Sequence, residues 1–129
     1  MESSFTLKKG ERLKRRKIIG RMFNREGSSF SVFPLRIIWL KTPLDCPYPA
    51  QFTISVSKRN FSKAVYRNRI RRLLREVYRL NKHSFYDSIP EGEQYAVMLL
   101  YVGKKMPKFL DLDHKFKIMI KKFRRKVNS

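Results

Sequence analysis

The sequence predicts an α+β fold, in which residues 1–129 form a single domain with helices packed on a mixed β-sheet. Three short stretches have the pattern of strands, because they alternate apolar and polar residues or are apolar throughout. Three longer stretches repeat apolar residues with helical spacing. A chain of 129 residues is also long enough for one hydrophobic core and too short for two. The predicted order is α-β-β-α-β-α, with room for an extra short strand.

The first half of the chain supplies one helix and two strands. Residues 1–10 are predicted to be a loose basic lead-in, and residues 11–25 a short amphipathic helix. Residues 31–40 alternate as a strand requires, and Pro34 suggests an edge position or a bulge early in that strand. Residues 51–57 alternate most clearly and predict the second strand.

The second half continues with a helix, a central strand and a final helix. Residues 58–82 include a basic helix, and residues 84–93 are predicted to be a turn region. Residues 94–102 are apolar on both faces, which predicts a central strand that is covered on each side. Residues 109–127 follow helical spacing. A strand, a helix and another strand in sequence imply a crossover unit in the sheet.

The basic helix carries the strongest functional signal. Ten of residues 58–82 are Lys or Arg, and only Glu76 is acidic. The predicted apolar face contains Ile70, Leu73, Leu74, Val77 and Leu80. The predicted polar face contains Asn68, Arg71, Arg72, Arg75, Arg79 and Lys82. A solvated helix face normally mixes charge signs, so this row of like charges favours a polyanionic partner, with RNA or DNA as the first candidate.

The whole chain is strongly basic, with 31 Lys and Arg against 10 acidic residues and a net charge of +21. Folding does not need this imbalance, so the charge is expected to serve a polyanionic partner. Nucleic acid is the main interpretation, and an anionic membrane surface is the alternative. The longest apolar run, residues 95–102, is too short to span a bilayer, and the N-terminus lacks the apolar region of a secretory signal. A single cysteine, Cys46, fits a reducing compartment. We therefore expect a cytoplasmic protein with no membrane partner.

A short motif in the basic helix resembles a family signature. Arg67-Asn68-Arg69, followed by Ile-Arg-Arg-Leu-Leu-Arg-Glu, resembles the RNR motif of the bacterial ribonuclease P protein component. The resemblance implies a fold similar to the second domain of ribosomal protein S5, with a left-handed βαβ crossover. It also implies a subunit of a ribonucleoprotein endonuclease, which binds ribonuclease P RNA and the 5′ leader of precursor tRNA and so promotes tRNA 5′ maturation.

The charge pattern and the resemblance together assign two sets of binding residues. The catalytic RNA is expected to contact Arg67, Asn68, Arg69, Arg71, Arg72, Arg75 and Arg79. The precursor tRNA leader is expected to contact Phe23, Trp39, Lys58, Arg59, Lys63, Lys104 and Lys105. Phe23, Trp39 and Phe52 are candidates to line one sheet face on which unstacked bases stack. Packing in the core is the alternative for all three, and we favour it for Phe52.

No catalytic residue is predicted in this chain. Two-metal hydrolysis requires carboxylates that converge, and the acidic residues here are scattered. His83 and His114 are expected to be surface residues near helix ends and not an acid–base pair. The sequence has no Cys/His metal pattern. We therefore expect no cofactor or metal bound by the protein and no obligate protein partner, while the resemblance implies magnesium at the active site of the RNA.

Two other functions are alternatives at this level. A ribosomal protein that binds ribosomal RNA would share the charge and a related fold, but the RNR spacing argues against it. A stand-alone ribonuclease would need a cluster of catalytic side chains, and none has the required spacing.

Overall fold

Four β-strands form one mixed sheet in the computed structural model, which describes residues 6–129. They are β1 (Ser28–Val32), β2 (Leu35–Lys41), β3 (Ala50–Val56) and β4 (Tyr95–Tyr101), in the order β1-β2-β4-β3. β1, β2 and β4 are antiparallel neighbours, whereas β3 runs parallel to β4. This mixed sheet with packed helices confirms the predicted α+β class.

Three helices and two short helical turns complete the described chain. A 3-10 turn (Lys9–Glu11) precedes α1 (Arg16–Arg21), which continues as a π-helical turn (Met22–Glu26). α2 spans Ala64–Asp87 and connects β3 to β4, as the predicted crossover unit requires. α3 spans Phe109–Val127. The element order is therefore α-β-β-β-α-β-α, and the extra short strand is β1.

Three boundaries differ from the sequence prediction. The helix predicted over residues 11–25 begins only at Arg16, because the backbone at Leu13 pairs with β3 instead of starting a helix. The strand predicted over residues 31–40 is part of a hairpin, because the chain turns at Phe33 and Pro34, which are joined by a cis peptide bond. Pro34 therefore lies in the turn between β1 and β2. α2 continues through residues 84–87, which were predicted as a turn, because Phe85 extends the buried stripe of the helix by one turn.

The two faces of the sheet are covered unequally. α2 and α3 cover one face, where the rings of Tyr78 and Phe52 stack with centroids 3.8 Å apart and Phe85 packs against Phe123. On the other face, a smaller cluster contains Leu13, Ile18, Met22, Ile38, Leu40, Ala96 and Met98. β4 contributes to both clusters, which confirms its predicted central position. α1 covers only part of its face, so the remainder of that face is accessible.

A buried ion pair ties the N-terminal segment to α2. Lys82 Nζ lies 3.1 Å from both carboxylate oxygens of Glu11, and the two residues are 4% and 0% exposed. Lys82 Nζ also donates to the Thr6 carbonyl oxygen at 2.6 Å, and the Tyr86 hydroxyl donates to Glu11 at 2.6 Å. Each charge is thus compensated by an opposite charge and by hydrogen bonds, as burial in a low-dielectric core requires.

This ion pair corrects three sequence predictions. Lys82 does not belong to the exposed basic face, because the N-terminal segment covers that flank of α2 and supplies Glu11. Residues 6–10 are held in place and are not a loose lead-in, while residues 1–5 lie outside the described residues. Leu80 is 41% exposed and not part of the apolar face, because the buried stripe of α2 turns towards the N-terminal segment.

Breaking the ion pair on one side is expected to destabilise the fold. Lys82→Met leaves the Glu11 carboxylate buried without its cation, so the free energy of unfolding should fall by about 3–5 kcal/mol. The double variant Glu11→Gln/Lys82→Met buries no charge and should lose much less. Urea denaturation followed by circular dichroism measures both losses. Equal losses in the single and double variants would contradict the role assigned to the buried charge.

Candidate nucleic-acid interface

Arg67, the first residue of the RNR motif, is engaged by the loop that precedes α2. Its Nη1 donates hydrogen bonds to the carbonyl oxygens of Phe61 (2.9 Å) and Ser62 (2.7 Å). Its Nε is buried and has no hydrogen-bond partner within the described residues. The guanidinium therefore holds the loop against the first turns of α2, and its predicted contact with RNA stays a prediction.

Asn68 and Arg69 face different flanks of α2, because consecutive helical residues are about 100° apart around the axis. Asn68 Oδ1 accepts a hydrogen bond from Arg71 Nη1 at 3.0 Å, which orients that guanidinium. Arg69 lies beside Tyr66 on the other flank, at a pocket between α2 and the loop after β4. The three residues of the motif thus occupy three different environments.

The exposed face of α2 carries a row of cations that is shorter than predicted. Arg71, Arg72 and Arg75, here called the cationic row, form no ion pair with a carboxylate of residues 6–129. Arg79 instead pairs with Glu76, and their hydrogen bond lowers the pKa of Glu76 and raises the pKa of Arg79. The cationic row is therefore the part of this face whose positive charge no carboxylate of the described residues neutralises, so it is the part that can bind phosphates.

Two further cations face the cationic row from the N-terminal segment. The Leu13 backbone N–H donates to the Phe52 carbonyl oxygen at 2.8 Å, which lays this segment along the free edge of β3. Arg12 and Lys14 consequently line a pocket of about 260 Å³ whose far wall is formed by Arg71 and Arg75 of the cationic row; we call it the cationic groove. Sequence reasoning missed both residues. The basic run over residues 12–17 was their only signal, and it does not reveal the pairing with β3.

The part of the sheet that α1 leaves accessible forms the floor of a cleft. One row of paired residues crosses this floor from β1 to β3, namely Ser31, Arg36, Leu100 and Ser55. Phe23, in the π-helical turn after α1, is 57% exposed and lines a pocket of about 330 Å³ together with Arg36. An exposed ring, a guanidinium and hydroxyl groups along a shallow floor suit an extended single strand of nucleic acid.

Trp39 does not line this cleft. It is 8% exposed and packs edge-on against Phe30 and Phe123, on the face that α2 and α3 cover. Of the three aromatic candidates for one sheet face, only Phe23 is exposed in the cleft, while the core position favoured for Phe52 is confirmed and Trp39 is core as well. Alternation along β2 and β3 turns Trp39 and Phe52 towards the core, whereas Phe23 lies on the other face.

Two basic loops lie together at one edge of the sheet, beyond the carboxyl ends of the parallel strands β3 and β4. The Asn60 side-chain amide donates to the Gly103 carbonyl oxygen at 3.2 Å and so ties one loop to the other. The predicted rim residues on these loops are all exposed: Lys58, Arg59, Lys63, Lys104 and Lys105. The structure thus brings these five side chains to one edge, as a shared binding rim requires.

The acidic and histidine residues of the described chain are scattered. His83 lies on α2 and His114 on α3, and both are exposed. Burial raises the pKa of Asp113, but hydrogen bonds from Lys117 and Asn81 outweigh this effect and hold the pKa below its ordinary value. In residues 6–129, no three His, Cys, Asp or Glu side chains are grouped so that they could hold a metal ion. No helix in this range has the length and apolarity needed to cross a membrane.

Arg67→Ala is expected to destabilise the fold, whereas Asn68→Ala is expected to leave its stability unchanged. Without the guanidinium, the carbonyl oxygens of Phe61 and Ser62 lose their donor, and the free energy of unfolding should fall by about 1–3 kcal/mol. Asn68 is exposed, so its replacement should change that energy by less than about 0.5 kcal/mol. Denaturation of the free protein measures both effects. If Arg67→Ala proves as stable as Asn68→Ala, the loop does not depend on Arg67.

Comparison with known proteins agrees with this geometry. Residues 7–124 match the family model described as Ribonuclease P. The chain is 39% identical over 108 residues to the ribonuclease P protein component of Porphyromonas gingivalis, covering 83% of this chain and 78% of that relative.

Two solved structures share the fold. The RNase P protein from Thermotoga maritima matches with a TM-score of 0.67 and 24% identity, over 87% of this chain and 96% of that chain. The RNase P protein of Staphylococcus aureus matches with a TM-score of 0.67 and 21% identity, over 88% of this chain and 94% of that chain. Residues 7–124 match the family model, and the relative above is similar over most of the chain. The RNR motif on a basic helix and the shared fold agree with these matches. The chain therefore belongs to the ribonuclease P protein family.

Proposed function

We propose that this chain is the protein subunit that binds the catalytic RNA of ribonuclease P and the 5′ leader of precursor tRNA, and so promotes tRNA 5′ maturation. The observation that carries the proposal is the cationic groove, where cations of α2 and of the N-terminal segment converge. Membership of the family supports an RNA partner in a ribonucleoprotein and does not favour the ribosomal or stand-alone ribonuclease alternatives.

The catalytic RNA docks on the exposed face of α2. Guanidinium groups bind phosphate oxygens through two parallel hydrogen bonds, and RNA supplies such oxygens at regular intervals. The like charges of Arg71, Arg72 and Arg75 repel one another on the helix until phosphates neutralise them. The backbone beneath them is fixed, because Ile70 and Leu74 are fully buried in the core. A rigid row of this kind selects a folded RNA surface over a flexible strand.

The leader lies in the cleft on the other face of the sheet. The exposed ring of Phe23 can stack on a base, and Arg36 can pair with the backbone of the same strand. The two basic loops extend the positive rim at the sheet edge. Leader and catalytic RNA therefore occupy different faces, and the positive charge between them reduces the repulsion of two polyanions.

In this proposal the protein contributes binding and not chemistry. The scattered carboxylates and histidines of the described chain support that division of roles. The RNA, with magnesium, cleaves the leader, and the protein itself binds no cofactor. The complex works in the cytoplasm, where Cys46 stays reduced, and it needs no obligate protein partner.

Removing two arginines of the cationic groove should weaken binding of ribonuclease P RNA. Arg71→Ala/Arg75→Ala prevents binding of the phosphates that these side chains neutralise, so the slope of log Kd against log salt should decrease by about one unit per phosphate. Fluorescence anisotropy over a salt series measures the affinity and its slope. The matched control is Lys121→Ala/Lys122→Ala, which removes the same charge from exposed positions of α3. Equal effects of the two double variants would show that only net charge matters.

Shortening Phe23 should affect precursor tRNA and spare mature tRNA. Stacking on one base contributes about 1–3 kcal/mol, so Phe23→Ala should weaken precursor binding to the reconstituted enzyme about fivefold or more. Mature tRNA has no leader, and its affinity should not change. Leu110→Ala, which shortens an exposed apolar side chain of α3, is the control for nonspecific loss. Equal losses for both tRNAs would reassign the cleft from leader recognition to general RNA binding.

A further inference from the structure

A second pocket lies on the flank of α2 away from the cationic groove, between the start of the helix and the loop after β4. Its volume is about 520 Å³, inside the range of about 300–1,000 Å³ that is usual for ligand sites. Lys63, Tyr66 and Arg69 line it from the helix side, and Met106 lines it from the loop. No acidic residue contributes to its walls within the described residues. We call it the Tyr66 pocket.

The side chains of the Tyr66 pocket match the chemistry of a nucleotide. Tyr66 is 44% exposed, and its ring contacts no other aromatic ring of residues 6–129. Lys63 and Arg69 have no carboxylate partner in that range and can bind phosphate. The side-chain N–H groups of Asn60 donate hydrogen bonds to the carbonyl oxygens of Val102 and Gly103. Its Oδ1 accepts no hydrogen bond from the described residues. That oxygen is a free acceptor for the amino group of a base.

The walls of the pocket are in place before any ligand binds. Arg67 holds one wall through the carbonyl oxygens of the loop before α2, and Asn60 ties that loop to Gly103. The Tyr101 hydroxyl donates to the Lys105 carbonyl oxygen at 2.6 Å and fixes the other wall. A Cβ at Gly103 would lie 2.6 Å from the same hydroxyl, so only glycine lets the loop pass this closely. A preformed site loses little conformational entropy on binding.

We propose that the Tyr66 pocket takes one unstacked nucleoside of an RNA strand, with its base on the Tyr66 ring and its phosphate at Lys63 and Arg69. The inference rests on the proposed function, because it requires RNA bound along α2. It goes further by giving this helix a contact to a base, whereas the cationic row contacts phosphates only. It also accounts for Arg69, which belongs to the RNR motif but lies on the flank away from the cationic groove.

Three substitutions of Tyr66 test the stacking role in the complex with full-length ribonuclease P RNA. Tyr66→Ala removes the ring and should weaken binding by about 5- to 150-fold, the usual effect of losing one stacked base. Tyr66→Phe and Tyr66→Trp keep a ring and should bind within about threefold of the parent protein. The proposal is overturned if Tyr66→Phe binds the RNA as weakly as Tyr66→Ala does, or if Tyr66→Ala binds it as tightly as the parent protein. Thermal unfolding of each variant checks that the fold is intact.

Two controls separate this proposal from the proposed function. Leu80→Ala shortens an exposed apolar side chain on the same helix, about 21 Å from Tyr66 at 1.5 Å per residue, and should bind normally. Arg71→Ala/Arg75→Ala, measured in the same assay, should bind weakly. If Tyr66→Ala is neutral while that double variant is weak, the Tyr66 pocket is rejected and the docking face stands. If both bind normally, the docking face itself is rejected.

Photocrosslinking identifies which RNA supplies the nucleoside. A photoreactive phenylalanine analogue at position 66 is crosslinked in two samples, one with the catalytic RNA alone and one with precursor tRNA added. A crosslink at one discrete nucleotide of the catalytic RNA supports the pocket, whereas a crosslink to precursor tRNA alone would contradict it, because the docking face along α2 belongs to the catalytic RNA. Crosslinks spread over many nucleotides, or none at all, would contradict a defined base site.

Discussion

β3 and β4 lie side by side and run parallel, so the chain between them must cross the sheet, and α2 is that crossing. The pairing has two consequences. It presses the apolar stripe of α2 on the core and turns the opposite side, with its arginines, to solvent. It also brings the carboxyl ends of both strands to one edge, where their basic loops meet. The proposed docking face, the basic rim and the Tyr66 pocket all depend on this one pairing.

The N-terminal segment couples folding to the binding surface. Its pairing with the free edge of β3 places Arg12 and Lys14 opposite the cationic row, and the ion pair of Glu11 with Lys82 holds the segment there. The buried charges cost desolvation energy, and their mutual attraction and hydrogen bonds offset it. A groove formed in this way is rigid, because its two walls belong to parts of the chain that are joined through the core.

The RNR motif combines three roles in three consecutive residues. Arg67 stabilises the loop before α2, Asn68 orients a neighbouring guanidinium, and Arg69 lines the Tyr66 pocket. A helix separates consecutive side chains by about 100°, so a contiguous motif necessarily addresses different surroundings. Substituting the motif as a unit would therefore mix a loss of stability with weaker RNA binding.

The sequence by itself determined the features that depend on local periodicity. Helical spacing placed Ile70 inside and Arg72 outside, and an unbroken apolar run marked β4 as the central strand. Tertiary structure decided which partners cover each element, which no local pattern encodes. Lys82 lies in a polar helical position yet is buried, because a segment about 70 residues away in sequence packs over it. Alternation placed Trp39 on one face of β2, but only the packing of α2 and α3 made that face the core. Edge pairing with β3 brought Arg12 into the cationic groove, and both outcomes depend on contacts between residues that are distant in sequence.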